Sequence, residues 1–92
     1  MLDIDLSRDA AKTLDRLPPK HARQIAAKIM ALRENPAPPD SLSLKGAAGA
    51  YRRADSGEYR IIYRVAQTTL IVAVIGKRND DEVYRRLERK LR

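Results

Sequence analysis

The run Leu70–Ile75 is apolar at every position, and this restricts the architecture more than any other feature of the chain. Successive side chains of a strand point to opposite faces, so a strand with no polar side belongs inside a sheet. Ahead of it, Tyr59–Val65 alternates, with Tyr59, Ile61, Tyr63 and Val65 sharing one face and Arg60, Ile62 and Arg64 the other. The basic residues of that strand therefore project together from one side of the sheet. Asp55-Ser56-Gly57 reads as a tight turn and Tyr51–Ala54 as the strand before it.

The first half has a different period. Leu2, Ile4 and Leu6 alternate with Asp3 and Asp5, as in a strand with one buried face. Ser7 suits a helix N-cap, Asp9 complements the positive end of the helix dipole, and Ala10, Leu14 and Leu17 follow at spacings of four and three. Pro18-Pro19 ends this helix, because proline donates no backbone hydrogen bond and restricts the residue before it. A second helix to about Arg33 places Ile25, Ile29 and Leu32 on one stripe beside Ala22 and Ala26, completing an antiparallel hairpin. Residues 35–40 form a stiff connector back to the sheet. After the apolar run, Asn79 and the acids Asp80, Asp81 and Glu82 read as a helix start, with Val83, Leu87 and Leu91 at spacings of four. The expected fold is α/β: one domain over residues 1–92, an N-terminal strand and helical hairpin packed on one face of a mostly antiparallel sheet, the other face open, and a C-terminal helix. Hairpin signals relate only consecutive strands, so the order across the sheet stays undetermined.

The 92 residues contain no Cys, which removes disulfides, thiolate nucleophiles and zinc–thiolate sites, and suits a reducing compartment. Acids stand at the start, where a signal peptide would be basic, and no stretch approaches the roughly 20 apolar residues of a membrane span. A cytoplasmic protein without a membrane partner is expected. The formal charge of +7, from 19 Lys and Arg against 12 Asp and Glu, favours an anionic partner, with nucleic acid first.

Several chemistries are disfavoured. His21 is the single histidine and lies between Lys20 and Arg23 on the second helix, where an exposed structural residue is expected rather than a general base. The acids gather in the first strand and at the last helix start without the spacing of metal ligands, so no metal is expected. Gly46, Gly49, Gly57 and Gly76 make no phosphate-binding loop, and no cofactor is expected. What remains is a concentration of Arg, Lys and Tyr in the second half: Arg52, Arg53, Arg60, Arg64, Lys77, Arg78 and Tyr84. Guanidinium groups chelate phosphate oxygens and stabilise a five-coordinate phosphorane better than the starting phosphodiester.

Leu44-Lys45-Gly46, Tyr51-Arg52, the stretch Gly57–Val65, Gly76-Lys77-Arg78 and Glu82-Val83-Tyr84 together resemble the RelE/ParE toxin superfamily, and its RelE-type messenger-RNA-cleaving members most. The resemblance implies a toxin of a type II toxin–antitoxin system. Such a toxin enters the ribosomal A site, contacts ribosomal RNA and cuts mRNA without metal. The 2′-hydroxyl attacks its own phosphodiester, leaving a 2′,3′-cyclic phosphate and a 5′-hydroxyl. By position, Arg60 would stabilise the phosphorane, Arg78 would assist the leaving oxygen, and Tyr84 would help deprotonate the 2′-hydroxyl or orient the base. Lys45, Arg52, Arg53, Arg64 and Lys77 would bind RNA, with Arg52 holding the phosphate. A phenol takes a proton at neutral pH only where cations favour its anion, so the role implied for Tyr84 requires Arg60 and Arg78 nearby. The chain departs from the RelE pattern where two alternating lysines give way to Arg52, Arg53 and Ala54; Arg53 is a weak candidate to substitute. An Arg exchanges protons less readily than a Lys. A cognate antitoxin is implied as partner. The alternatives are a ParE-like inhibitor of DNA gyrase, which shares the fold, and a non-catalytic module that binds RNA or the antitoxin.

Overall fold

In a computed structural model, which describes residues 1–79 and 81–92, the apolar run lies inside the longest strand. The elements in chain order are β1 (Asp3–Leu6), α1 (Arg8–Arg16), α2 (Pro19–Glu34), β2 (Ser41–Ser43), a 3-10 turn (Gly46–Ala48), β3 (Arg52–Ser56), β4 (Tyr59–Ala66), β5 (Thr69–Lys77) and α3 (Glu82–Lys90). The sheet has five strands in the order β1-β5-β4-β3-β2, with β1 parallel to β5 and every other pair antiparallel. β2 is an addition to the expected order. Ser-Leu-Ser is too short to carry a period, and it is ordered as an edge strand by pairing Ser41 with Ala54 and Ser43 with Arg52.

α1 and α2 cover one face, where Ala10, Ile25, Ile29 and Leu32 pack on Ala54, Ile61, Tyr63, Leu70, Val72 and Ile75. Tyr63 is wholly buried there, and its hydroxyl donates to the Pro36 carbonyl at 2.6 Å, fastening the proline-rich connector to the core. The other face is not open. α3 lies across it, burying Val83 and Leu87 against Ile62, Ala73 and Val74. The two-sided apolarity of Leu70–Ile75 is the reason: a strand apolar on both sides requires a cover on both sides. Leu91 and Val65, the last members of their apolar rows, sit at the ends of their elements and stay 39% and 41% exposed. Asp80, read as part of the helix start, lies outside the described residues.

Three local devices hold α3 in register. Ile62 pairs with Val74 while Tyr63 pairs with Val72, so Ala73 is the extra residue of a β-bulge, and Ala73 and Val74 both turn toward α3. Ser7 secures the bulge. Its hydroxyl donates to the Ala73 carbonyl at 2.6 Å and accepts the Ala10 amide of α1 at 3.0 Å, so one side chain caps a helix and satisfies the bulge. Gly76 permits close approach, since a Cβ there would stand 2.7 Å from Val83 Cγ1. Finally, Arg86 of α3 donates to the Ile75 carbonyl at 3.0 Å and to Thr13 Oγ1 at 3.1 Å, and forms an ion pair with Asp9 of α1. Among the described residues, no helix is long and apolar enough to cross a membrane.

Candidate functional site

Alternation along β3 and β4 sends Arg53 and Asp55, and Arg60, Ile62 and Arg64, to the α3 side of the sheet. The register sets Arg53 opposite Ile62 and Asp55 opposite Arg60. Asp55 receives Arg60 Nε on Oδ1 at 2.8 Å and Nη2 on Oδ2 at 3.4 Å. The remaining arm of that guanidinium, Nη1, donates to the Tyr84 hydroxyl oxygen at 2.8 Å. Arg53 Nη1 donates to the same oxygen at 3.0 Å. Two accepted bonds occupy both lone pairs of the phenol oxygen, so its own hydrogen is left to point at a further partner.

The cluster is half-buried, with the Arg60 side chain only 13% exposed. Its hydrogen bonds are therefore stronger than the same contacts in water. The hydrogen bond from Arg60 holds the Asp55 carboxyl below its ordinary value of 3.8 despite burial, and the charges of Arg60, Arg78 and Arg53 add to the effect. Reciprocally, the bond to Asp55 holds Arg60 above its usual range, with Tyr84 contributing.

Arg78, the residue after β5, docks on the β3–β4 turn: its amide donates to Glu58 O at 3.0 Å and its guanidinium to Gly57 O at 3.4 Å. Its charge acts on Asp55, but among the described residues the guanidinium hydrogen bonds to Tyr84 come from Arg53 and Arg60, not from Arg78. Lys45 borders a cleft of about 280 Å³ on the other flank of Tyr84, lined also by Leu44, Ala48, Leu87 and Leu91. Arg64 lies farther along β4, its guanidinium carbon 5.9 Å from the centre of the Tyr51 ring.

Two candidates fall elsewhere. Arg52 pairs with Tyr63 and shares its face, the α1–α2 side, where it donates to Ser41 Oγ at 2.7 Å and Ser43 Oγ at 2.7 Å. The phosphate grip implied for Arg52 is thus not available at Tyr84, and Arg53 stands there instead. Lys77 pairs with Tyr59 and leaves the sheet on that same far side. His21 is half-buried rather than exposed, packed 5.2 Å from the Tyr59 ring on the face away from Tyr84. Asp55 is the residue the sequence reading missed, since the turn was placed over it. The turn is Gly57-Glu58, and a two-residue turn there sets residues 55 and 60 opposite each other. Among the described residues, no three His, Asp or Glu side chains gather as metal ligands would.

A helical hairpin on one face, a C-terminal helix on the other, and a mixed five-stranded sheet between them define a toxin of the RelE/ParE superfamily. Residues 4–81 match the family described as ParE toxin of type II toxin-antitoxin system, parDE, and the chain belongs to that family. A mutant E. coli RelE toxin in the free state superposes with a TM-score of 0.81 at 22% identity, over 97% of this chain and 96% of that one. The archaeal RelE–RelB complex from Pyrococcus horikoshii gives 0.72 at 26% identity, over 84% and 94%. A YoeB/ParE toxin from Agrobacterium tumefaciens gives 0.73 at 19% identity, over 83% and 98%. No curated protein matches by sequence.

Proposed function

We propose that this toxin is a cytoplasmic, metal-independent endoribonuclease that cuts mRNA in the ribosomal A site, and that a cognate antitoxin protein restrains it. The observation that carries the reading is one phenol oxygen, Tyr84, receiving guanidinium hydrogens from both Arg53 and Arg60. In this reading the bond from O2′ to phosphorus forms and the bond from phosphorus to O5′ breaks. Tyr84 acts in its anionic form, whose third lone pair takes the 2′-hydroxyl proton; that proton then passes through water to O5′, which Arg78 supports by hydrogen bonding. Arg60 and Arg53 stabilise the charge that accumulates on the phosphorane. The phosphate must share Arg60 with Asp55. The RelB partner of the archaeal RelE structure supports an antitoxin here.

Primer-extension mapping of mRNA ends in a translating extract tests the reading. Added toxin should produce new ends within codons, and EDTA kept below the level that dissociates ribosomes should leave them unchanged. Arg60→Ala and Tyr84→Phe should each lower the rate by about 10²–10³-fold with folding retained. Wild-type cleavage by both variants would remove the site. The family matched by residues 4–81 favours a second reading, a ParE-like inhibitor of DNA gyrase; inhibited supercoiling with intact mRNA would select it.

A further inference from the structure

α3 has a second flank. Tyr84 and Arg86 are two positions apart, about 200° around a helix, so they face opposite ways. On the Arg86 side, α1 and α3 border a cleft of about 580 Å³ lined by Arg8, Asp9, Lys12, Thr13, Arg16, Arg86 and Lys90. Its one carboxylate, Asp9, has both oxygens engaged by Arg86, which also donates to Thr13. Arg8, Lys12, Arg16 and Lys90 are exposed and form no ion pair among the described residues. Asp15, the other acid of α1, pairs with none of them. Residues 8, 12 and 16 recur every fourth position, a row of cations with a step of about 6 Å along one side of the helix.

We propose that this cleft is a second RNA-binding surface that grips a phosphate backbone apart from the strand presented to Tyr84. The proposal rests on the nuclease reading only in its choice of RNA as the polyanion. A protein partner would bury an apolar centre, and the cleft offers none; a phosphate backbone requires only fixed cations. At the Tyr84 site, by contrast, Arg60 is already neutralised by Asp55. Affinity and chemistry are thereby partly divided between the two flanks of α3: the α1–α3 cleft adds salt-sensitive attraction away from the scissile bond, on which Arg53, Arg60 and Tyr84 act.

The test is fluorescence anisotropy of the whole protein with a labelled RNA hairpin, across about 50–200 mM salt. The Arg8→Gln/Lys12→Gln/Arg16→Gln variant removes the row. Lys20→Gln/Arg23→Gln/Arg92→Gln removes the same charge from exposed positions elsewhere. Each phosphate contact contributes about 0.7–0.9 to the slope of log affinity against log salt, so the first variant should lose about 2 from the slope and at least tenfold in affinity at low salt. The second should stay within twofold of wild type, and circular dichroism should show both folded. Equal losses in the two variants, an unchanged slope in the first, or no binding by wild type would overturn the proposal. So would competition by poly-glutamate as effective as by RNA of equal charge, which would assign the cleft to an acidic protein. Absence of mRNA cleavage with the expected slopes intact would count against the nuclease reading alone.

Discussion

Replacing Gly76 with Ala should disturb α3, and with it the site, although residue 76 meets the Arg53–Arg60–Tyr84 cluster only as the strand partner of Arg60. The added Cβ would stand 2.7 Å from Val83 Cγ1 and 3.1 Å from Arg86 Nη1. Ordinary contact begins near 3.4 Å, so the helix or the strand must give by about 0.7 Å. The guanidinium can swing aside, but Val83 is fully buried and has nowhere to rotate. Overpacking of this kind costs about 1–3 kcal/mol, and alanine returns about 0.4–1 kcal/mol by restricting the unfolded chain. The net expectation is a loss of about 1–2 kcal/mol, or about 4–15 °C in Tm for a domain this size. Urea denaturation followed by circular dichroism measures it. Val83→Ala alone destabilises by removing buried methyls, but in the double variant it also removes the clash, so the two losses should fall short of their sum by about 1 kcal/mol. Tyr84 follows Val83 directly, and a shift of this size at a reacting group costs up to about 10²-fold in rate. A Gly76→Ala protein as stable as wild type, or losses that simply add, would refute the close docking of α3.

Ser7→Ala removes the cap of α1 and the donor to the Ala73 bulge carbonyl together, so it should cost about 2 kcal/mol in urea, above the usual value for a cap alone; a loss below about 0.5 kcal/mol would dissociate the two roles. Asp55→Asn should weaken the fold in a pH-dependent way. Because the folded carboxyl titrates below 3.8, its stabilisation is complete above that value and disappears as the pH falls through the lower folded value. The wild-type advantage over Asp55→Asn should thus close in acid, and a gap independent of pH would mean the Arg60 ion pair adds no stability. Gln67 sits at φ 54° in the two-residue β4–β5 turn, a conformation glycine adopts without strain. Gln67→Gly should therefore raise the urea midpoint, by about 0.5 kcal/mol, and a fall would show that the side chain contributes more than the backbone strain costs.

The secondary structure was largely legible because each element has a strong local cause. Period-2 alternation marks β1 and β4, Ser7 and Pro18-Pro19 bound α1, and the stripe of Ile25, Ile29 and Leu32 marks α2. What escaped depends on partners rather than on local pattern. β2 is a strand only because Ser41 and Ser43 face Ala54 and Arg52. The placement of α3 on the second face was implied by the apolarity of β5 on both sides, yet the amphipathic pattern of Val83, Leu87 and Leu91 is equally compatible with either face. The parallel pairing of β1 with β5 joins residues more than 60 positions apart and leaves no mark in either segment.

Within the site, alternation alone put Arg60 and Arg64 on one face, and applied to β3 it also separates Arg53 from Arg52. Adjacent strand residues point oppositely, so only one of that pair can reach the α3 side; the hairpin register selects Arg53, by setting it opposite Ile62. The same register brings Asp55 against Arg60, a contact hidden when the turn is drawn one step too early. That acid changes what the cluster has to do. A guanidinium shared between a carboxylate and a phenol is fixed in orientation before any substrate arrives, and its charge is already balanced, so it contributes geometry at the scissile bond more than attraction from a distance. Attraction from a distance is left to cations without a carboxylate partner, and the row Arg8, Lys12 and Arg16 is one such set.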